Sequence, residues 1–335
     1  MKTKISVIGG GSWGTALAQV ASTNIEEVLI YVRDKEVVNS INNNSINFKY
    51  FENCKLNENI KATNNISEAI QFSKWNILSV PTSATRTVMK DIKDVLDDTH
   101  TLISTAKGLE ISTLKTNSEI IREFFDGELA VLSGPTHAEE VIKEIPTAIV
   151  LASREAKLAK NIQDKLLTSR FRIYTIKDVK GVELAGAVKN IIAVASGVTD
   201  GVGYGDNTKA ALITRGLAEI VKFGLYLDTN RETYNGLAGL GDLVVTCYSN
   251  HSRNRRFGIQ IGKGKSFKEA EKKVKQVVEG AKTAKAVYNF LEKHDDLEMP
   301  ITEEVYKVLY ENKNPHQALD DLMLREPRNE FYYLS

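Results

Sequence analysis

Lys189 is a side chain that could move a proton. It stands alone in an apolar stretch, GVELAGAVKNIIAVASGVTD (181–200), whose pattern predicts a helix. On a helix its side chain leans back over Gly186 and Ala185, both small, which leaves room in front of the ammonium. Asn190, Ile191, Ile192 and Val194 bound that space. A desolvated ammonium has a lowered pKa and can serve as proton donor or electrostatic clamp near neutral pH. Taken alone, the same pattern also suits a lysine snorkelling from a helix edge.

A second constellation lies at the start of the chain. Gly9-Gly10-Gly11-Ser12-Trp13-Gly14 fits Gly-x-Gly-x-x-Gly directly after an apolar run and before a helical pattern. In that context Gly9 permits a tight turn, Gly11 lets backbone approach a pyrophosphate, and Gly14 allows close helix–strand packing. The end of the next strand, Tyr31-Val-Arg33-Asp34, bears on the cofactor. An arginine there suits the 2′-phosphate of NADP, and an acidic residue suits the free ribose hydroxyl of NAD. Arg33 comes first and favours NADP, while Asp34 keeps NAD in play.

Other segments share one placement. VPTSATR (80–86), AKGLE (106–110) and GPTHAEE (134–140) each begin where an expected strand stops, the edge where open parallel sheets bind ligands. Lys107 is expected to point toward that edge, although spacing alone also allows an exposed loop lysine. His137 reads as a residue at a helix start. In the second half, Gly236 to Asp242 reads as a glycine-dense loop ending in a carboxylate. After it, Ser252-Arg253-Asn254 caps a basic helix start, a hydroxyl, guanidinium and amide grouped as for a phosphate. The bland alternative is a capped surface helix. No histidine or cysteine cluster suggests a metal.

Strands alternating with helices position these groups in the first half. Strands are expected at Lys4–Ile8, Val28–Val32, Asn76–Val80, Thr101–Thr105, Leu129–Ser133, Ala148–Leu151 and Phe171–Thr175. Helices are expected at Thr15–Ser22, Ser83–Leu96 and Leu114–Phe125, which implies a largely parallel sheet. Beyond about residue 180 the strand signal stops, and 182–198, 208–227, 253–263, 266–274, 280–293 and 301–312 all read as helices. The expected fold is α/β: a Rossmann-type parallel-sheet, dinucleotide-binding domain (1–180), then an all-helical substrate and catalytic domain (181–335). The lysine-rich stretch Phe267 to Lys275 reads as a solvated helix face.

A length of 335 residues suits two domains, and 42% hydrophobic with 26% charged residues is ordinary for a globular chain. A net charge of +1 gives no footprint for nucleic acid or an anionic membrane surface. Cys54 and Cys247 match no zinc spacing and are expected as free thiols. A first strand starting by Ile5 leaves no room for a signal peptide, and no apolar run is expected to span a membrane. These features suggest a cytoplasmic enzyme.

Together the segments GGGSWGTALA, KGLE, GPTHAEE, ELAGAVKNIIAVASG, GLAGLGDLVVTC, SRNRRFG, VVEG and MPITEEVY resemble the bacterial NAD(P)-dependent glycerol-3-phosphate dehydrogenases nearly end to end. The resemblance implies reduction of dihydroxyacetone phosphate to sn-glycerol 3-phosphate, feeding phospholipid synthesis, by a homodimer. It makes Lys189 the catalytic lysine at the substrate's C2 oxygen; we expect Asp242 to orient that lysine. It makes Lys107, Gly134, Thr136, Asp242, Ser252, Arg253 and Asn254 substrate contacts; Thr136 stands where many members have serine. Ser12, Trp13, Arg33, Lys107, Ala138, Arg253, Val277 and Glu279 become cofactor contacts. The asparagine-rich stretch Asn42–Tyr50 departs from the family, and only Tyr50-Phe51 matches its aromatic pair. Two alternatives are a two-domain β-hydroxyacid dehydrogenase and a protein that senses NAD(P) without turnover.

Overall fold

The computed structural model describes residues 2–274 and 277–330. Lys275, at the end of the lysine-rich stretch, lies outside them. The chain divides into two compact units, Met1–Lys107 with Asn117–Val179, and Gly108–Thr116 with Lys180–Ser335.

Unit 1 is built on an eight-stranded sheet: β1 (Lys4–Ile8), β2 (Glu27–Tyr31), β3 (Ile60–Thr63), β4 (Trp75–Leu78), β5 (Thr101–Ser104), β6 (Glu128–Ser133), β7 (Thr147–Ala152) and β8 (Phe171–Ile176). Their spatial order is β3-β2-β1-β4-β5-β6-β7-β8. Every neighbouring pair is parallel except β6 with β7. Central strands read as continuous apolar runs because both of their faces are covered. Ile5, Val7 and Ile8 of β1 are buried for that reason. The order reverses between β1 and β4, so the segment leaving β1 emerges at a switch point. Edge strand β3 was not expected from the sequence; four residues with a lysine carry too little apolar signal.

Unit 2 is helical around Val179–Val202. By length and composition that helix could cross a membrane, contrary to the expectation that no run would. Of its most apolar window, 94% is buried inside the molecule, so it is the core of this unit. The neighbouring helix Arg253–Gly262 packs on it backbone to backbone. A Cβ on Gly197 would fall 2.0 Å from the Arg255 carbonyl oxygen, and one on Gly258 would fall 2.1 Å from that of Val194.

Two expectations need correction. The helix expected over Leu114–Phe125 spans only Asn117–Arg122, because Leu114 takes a left-handed backbone (φ 59°) that ends any regular turn there. The stretch Gly108–Thr116, assigned to the first domain by sequence, belongs to unit 2: Leu109 is buried in that unit's core and Leu114 packs against it.

Candidate active site

In unit 1 the glycine motif turns sharply between β1 and the helix Ser12–Ala21. Gly9 adopts φ +122°, and a Cβ there would lie 2.4 Å from the Ser79 carbonyl oxygen just past β4. Only glycine fits that backbone. A Cβ on Gly14 would sit 1.9 Å from the Gly9 carbonyl oxygen, so the helix can close on the loop only without one. Gly11 differs: nothing lies within 4 Å of its Cβ position, and no side chain caps the helix it precedes. First-turn N–H groups beside open space form a cradle for an anion such as a pyrophosphate. Ser12 is buried and Trp13 half-buried in this first turn, and the indole Nε1 of Trp13 finds no hydrogen-bond partner among the described residues. The loop fits the dinucleotide that the motif implies.

At the end of β2, Arg33 is exposed. Asp34 caps the helix Lys35–Asn44, its Oδ1 accepting the Glu36 N–H at 2.9 Å, and its Oδ2 is ion-paired with Lys49. Lys49 and the Glu36 N–H hold the Asp34 carboxyl below the usual carboxylate range. Farther along the sheet, the segments after β5 and β6 meet on one acceptor. Lys107 Nζ donates to the Gly134 carbonyl oxygen at 2.8 Å, and Thr136 Oγ1 donates to the same oxygen at 3.1 Å. Gly134 takes φ +153°. Ala138 is buried at the start of a four-residue helix that His137 precedes.

Unit 2 gathers a separate cluster. Lys189 lies midway along the core helix with its side chain 4% exposed. Its Nζ donates to Asp242 Oδ1 at 2.5 Å and to Thr246 Oγ1 at 2.6 Å. Asp242 is equally buried, so two charges taken out of water here compensate each other. The residues Leu237–Gly241, read from sequence as a loop, form a wide helical turn in which the Gly241 N–H donates to the Gly236 carbonyl oxygen, and the chain continues as the helix Asp242–Tyr248. That helix corrects the loop reading and explains Thr246, which sequence reasoning missed. Four residues after Asp242, it shares Asp242's face once the segment is helical.

Ser252 Oγ caps the helix Arg253–Gly262, accepting from the Arg255 N–H at 3.2 Å. Arg253 is exposed at its first turn. The Asn254 amide points elsewhere: Nδ2 donates to Asn190 Oδ1 at 2.9 Å, and Oδ1 accepts from the Gly280 N–H at 2.9 Å. It therefore ties the Lys189 helix to the start of Glu279–Leu291. Val277 is exposed just before that start. Burial raises the Glu279 carboxyl, against the opposing pull of Lys282 and Arg253.

A model of the NAD-dependent glycerol-3-phosphate dehydrogenase N-terminus matches residues 4–159, and one of the same family's C-terminus matches 178–320. The chain belongs to this family. Glycerol-3-phosphate dehydrogenase (NAD(P)+) of Halothermothrix orenii is 54% identical over 98% of this chain and 97% of its own length. The enzyme so named from a Thermoanaerobacter species is 47% identical over 98% and 99%. The crystal structure of glycerol-3-phosphate dehydrogenase from Coxiella burnetii superposes with a TM-score of 0.92 at 37% identity, covering 97% of this chain and 99% of that one. Family membership makes the chain an NAD(P)-dependent oxidoreductase and displaces both the β-hydroxyacid dehydrogenase and the non-catalytic readings. Among the described residues no group of three or more histidine, cysteine or carboxylate side chains could hold a metal, and Cys54 and Cys247 are free thiols.

Proposed function

We propose that this chain reduces dihydroxyacetone phosphate to sn-glycerol 3-phosphate, with Lys189 as the acid–base group and NADPH as the preferred reductant. The buried Lys189–Asp242–Thr246 cluster carries the reading. A reduced nicotinamide, when bound, supplies the hydride that reaches C2. Lys189 gives its proton to the C2 oxygen as negative charge develops there, and takes it back in the oxidative direction. A positioned acid of this kind contributes about 10²–10⁴-fold. Asp242 and Thr246 fix the ammonium, so little reorganisation is needed at the moment of reaction.

Gly9, Gly11, Ser12, Trp13 and Gly14 are assigned to the dinucleotide, as are Ala138, Val277 and Glu279. Arg33 is assigned to the 2′-phosphate; its exposure, beside an Asp34 already occupied by Lys49 and Glu36, supports NADP over NAD. Lys107, Gly134 and Thr136 are assigned to the substrate, and Lys107 and Arg253 to both ligands. Arg253 and the capped turn at Ser252 take the phosphate, whose binding energy aligns C2, while Asn254 holds that helix end in place. A glycerol phosphate product suits phospholipid synthesis. Two free thiols and a net charge of +1 support a cytoplasmic enzyme with a small-molecule partner, and the family resemblance supports a homodimer.

The test is reduced-cofactor oxidation with dihydroxyacetone phosphate, NADPH and NADH compared. Turnover should be faster at limiting NADPH. Absence of turnover with either cofactor would refute the reading.

A further inference from the structure

The asparagine-rich stretch Asn42–Tyr50 carries a structural tie to the cofactor loop. Asn47 is fully buried, and its Nδ2 donates to the Gly10 carbonyl oxygen at 3.1 Å and to Thr15 Oγ1 at 2.8 Å. Its backbone carbonyl oxygen accepts the Tyr50 and Phe51 N–H groups, closing a turn over residues 47–51. That turn is pinned beneath the glycine motif, and Lys49 projects from it to the Asp34 carboxylate at the end of β2.

The charges at that corner are few. Arg33 and Lys35 are exposed there, Asp34 faces Lys49, and the field of Glu36 also reaches Lys49. With Lys49 present, three cations stand with two carboxylates. Without it that cationic excess is gone and the Asp34 carboxylate loses its partner, which weakens the attraction for a 2′-phosphate, sets an unpaired carboxylate beside it and leaves Asp34 available to a ribose 2′-hydroxyl. We infer that Lys49 is a specificity-determining residue: it occupies Asp34 and offers an ammonium to the 2′-phosphate, and so tilts the site toward NADP. This rests on the reading above, in which Arg33 meets the 2′-phosphate. An exposed ion pair of this sort adds little to folding, with side chains 47% and 34% exposed, so its value lies in which ligand it admits.

The experiment measures the ratio of kcat/KM for NADPH to that for NADH in the full chain. Lys49→Met should lower the ratio about tenfold, the product of one lost attraction and one new repulsion. Lys49→Arg should hold the ratio within about twofold of wild type. Adding Asp34→Asn to Lys49→Met should restore the part of the loss due to the unpaired carboxylate, about threefold, which mere loosening of the turn would not allow. Arg33→Ala is measured alongside. If Arg33→Ala lowers the ratio but Lys49→Met leaves it unchanged, or the double variant shows no recovery, the Lys49 proposal is overturned while the cofactor reading stands. If neither single variant changes the ratio, the 2′-phosphate lies elsewhere and both fall.

Discussion

Replacing Lys189 by methionine separates chemistry from folding at the centre of unit 2. The substitution keeps chain length and apolar bulk but removes the cation 2.5 Å from Asp242 Oδ1 and the donor 2.6 Å from Thr246 Oγ1. Asp242 is 1% exposed, so its carboxylate stays out of water without that counter-charge. Breaking one partner of a buried pair costs about 3–5 kcal/mol, a large share of the stability of an ordinary domain. The catalytic loss is separate: without the proton donor, kcat should fall at least about 10²-fold, while NADPH affinity stays within several-fold. Denaturant unfolding reads the first effect, and reduced-nicotinamide absorbance reads the second. Adding Asp242→Asn to Lys189→Met removes the stranded charge and should return most of the stability with none of the activity. Activity recovering in step with stability would show that Lys189 is structural. A single variant keeping more than a tenth of wild-type kcat would also refute its role.

Arg33→Ala should lower NADPH selectivity about 10- to 100-fold, the value of a lost charge-assisted contact; equal losses for NADPH and NADH would remove Arg33 from the 2′ position. Arg253→Ala should cut kcat/KM for dihydroxyacetone phosphate about 30- to 1,000-fold, once its effect on NADPH binding is measured and subtracted. Unphosphorylated dihydroxyacetone, a poor substrate for wild type, should be far less affected, and equal proportional losses would place the phosphate elsewhere. Glu219 is buried and accepts the Ile301 N–H at 2.6 Å, the Thr302 N–H at 3.1 Å and Thr302 Oγ1 at 2.9 Å; burial nonetheless pushes its carboxyl up from 4.5 to about 7. Between those values the folded chain keeps a proton that the unfolded chain has lost. Glu219's contribution to stability is therefore complete below about pH 4.5 and falls, by up to about 3 kcal/mol, as pH rises to about 7. Unfolding titrations of Glu219→Gln should lose that decline, and an unchanged pH profile would exclude Glu219 as its source.

What the sequence determined by itself was local. Gly9 is legible because its positive φ, and Gly14 because the carbonyl oxygen 1.9 Å from a would-be Cβ, admits one residue type, so the requirement is written at the position itself. The strands of the sheet interior are legible because burial on both faces leaves unbroken apolar runs, whereas edge strand β3 lacked that mark. The solitary lysine of an apolar helix was equally visible. Glycines also misled: Gly236, Gly239 and Gly241 read as a loop because glycine is a poor helix former, yet they lie in or beside a wide helical turn. A Cβ on Gly239 would meet the Tyr234 carbonyl oxygen at 2.1 Å, so glycine serves close packing there.

Tertiary structure alone decided which distant groups share an atom. It set Lys189 against Asp242, 53 positions away, with Thr246 beside it. It spent the Asn254 amide on Asn190 and Gly280, and turned Asp34 toward Lys49. Hydrogen bonds and ion pairs act over about 3 Å, and spacing along a chain specifies such a distance only within one turn or strand. Beyond that range partners are chosen by how helices and strands pack, a property of every buried side chain together.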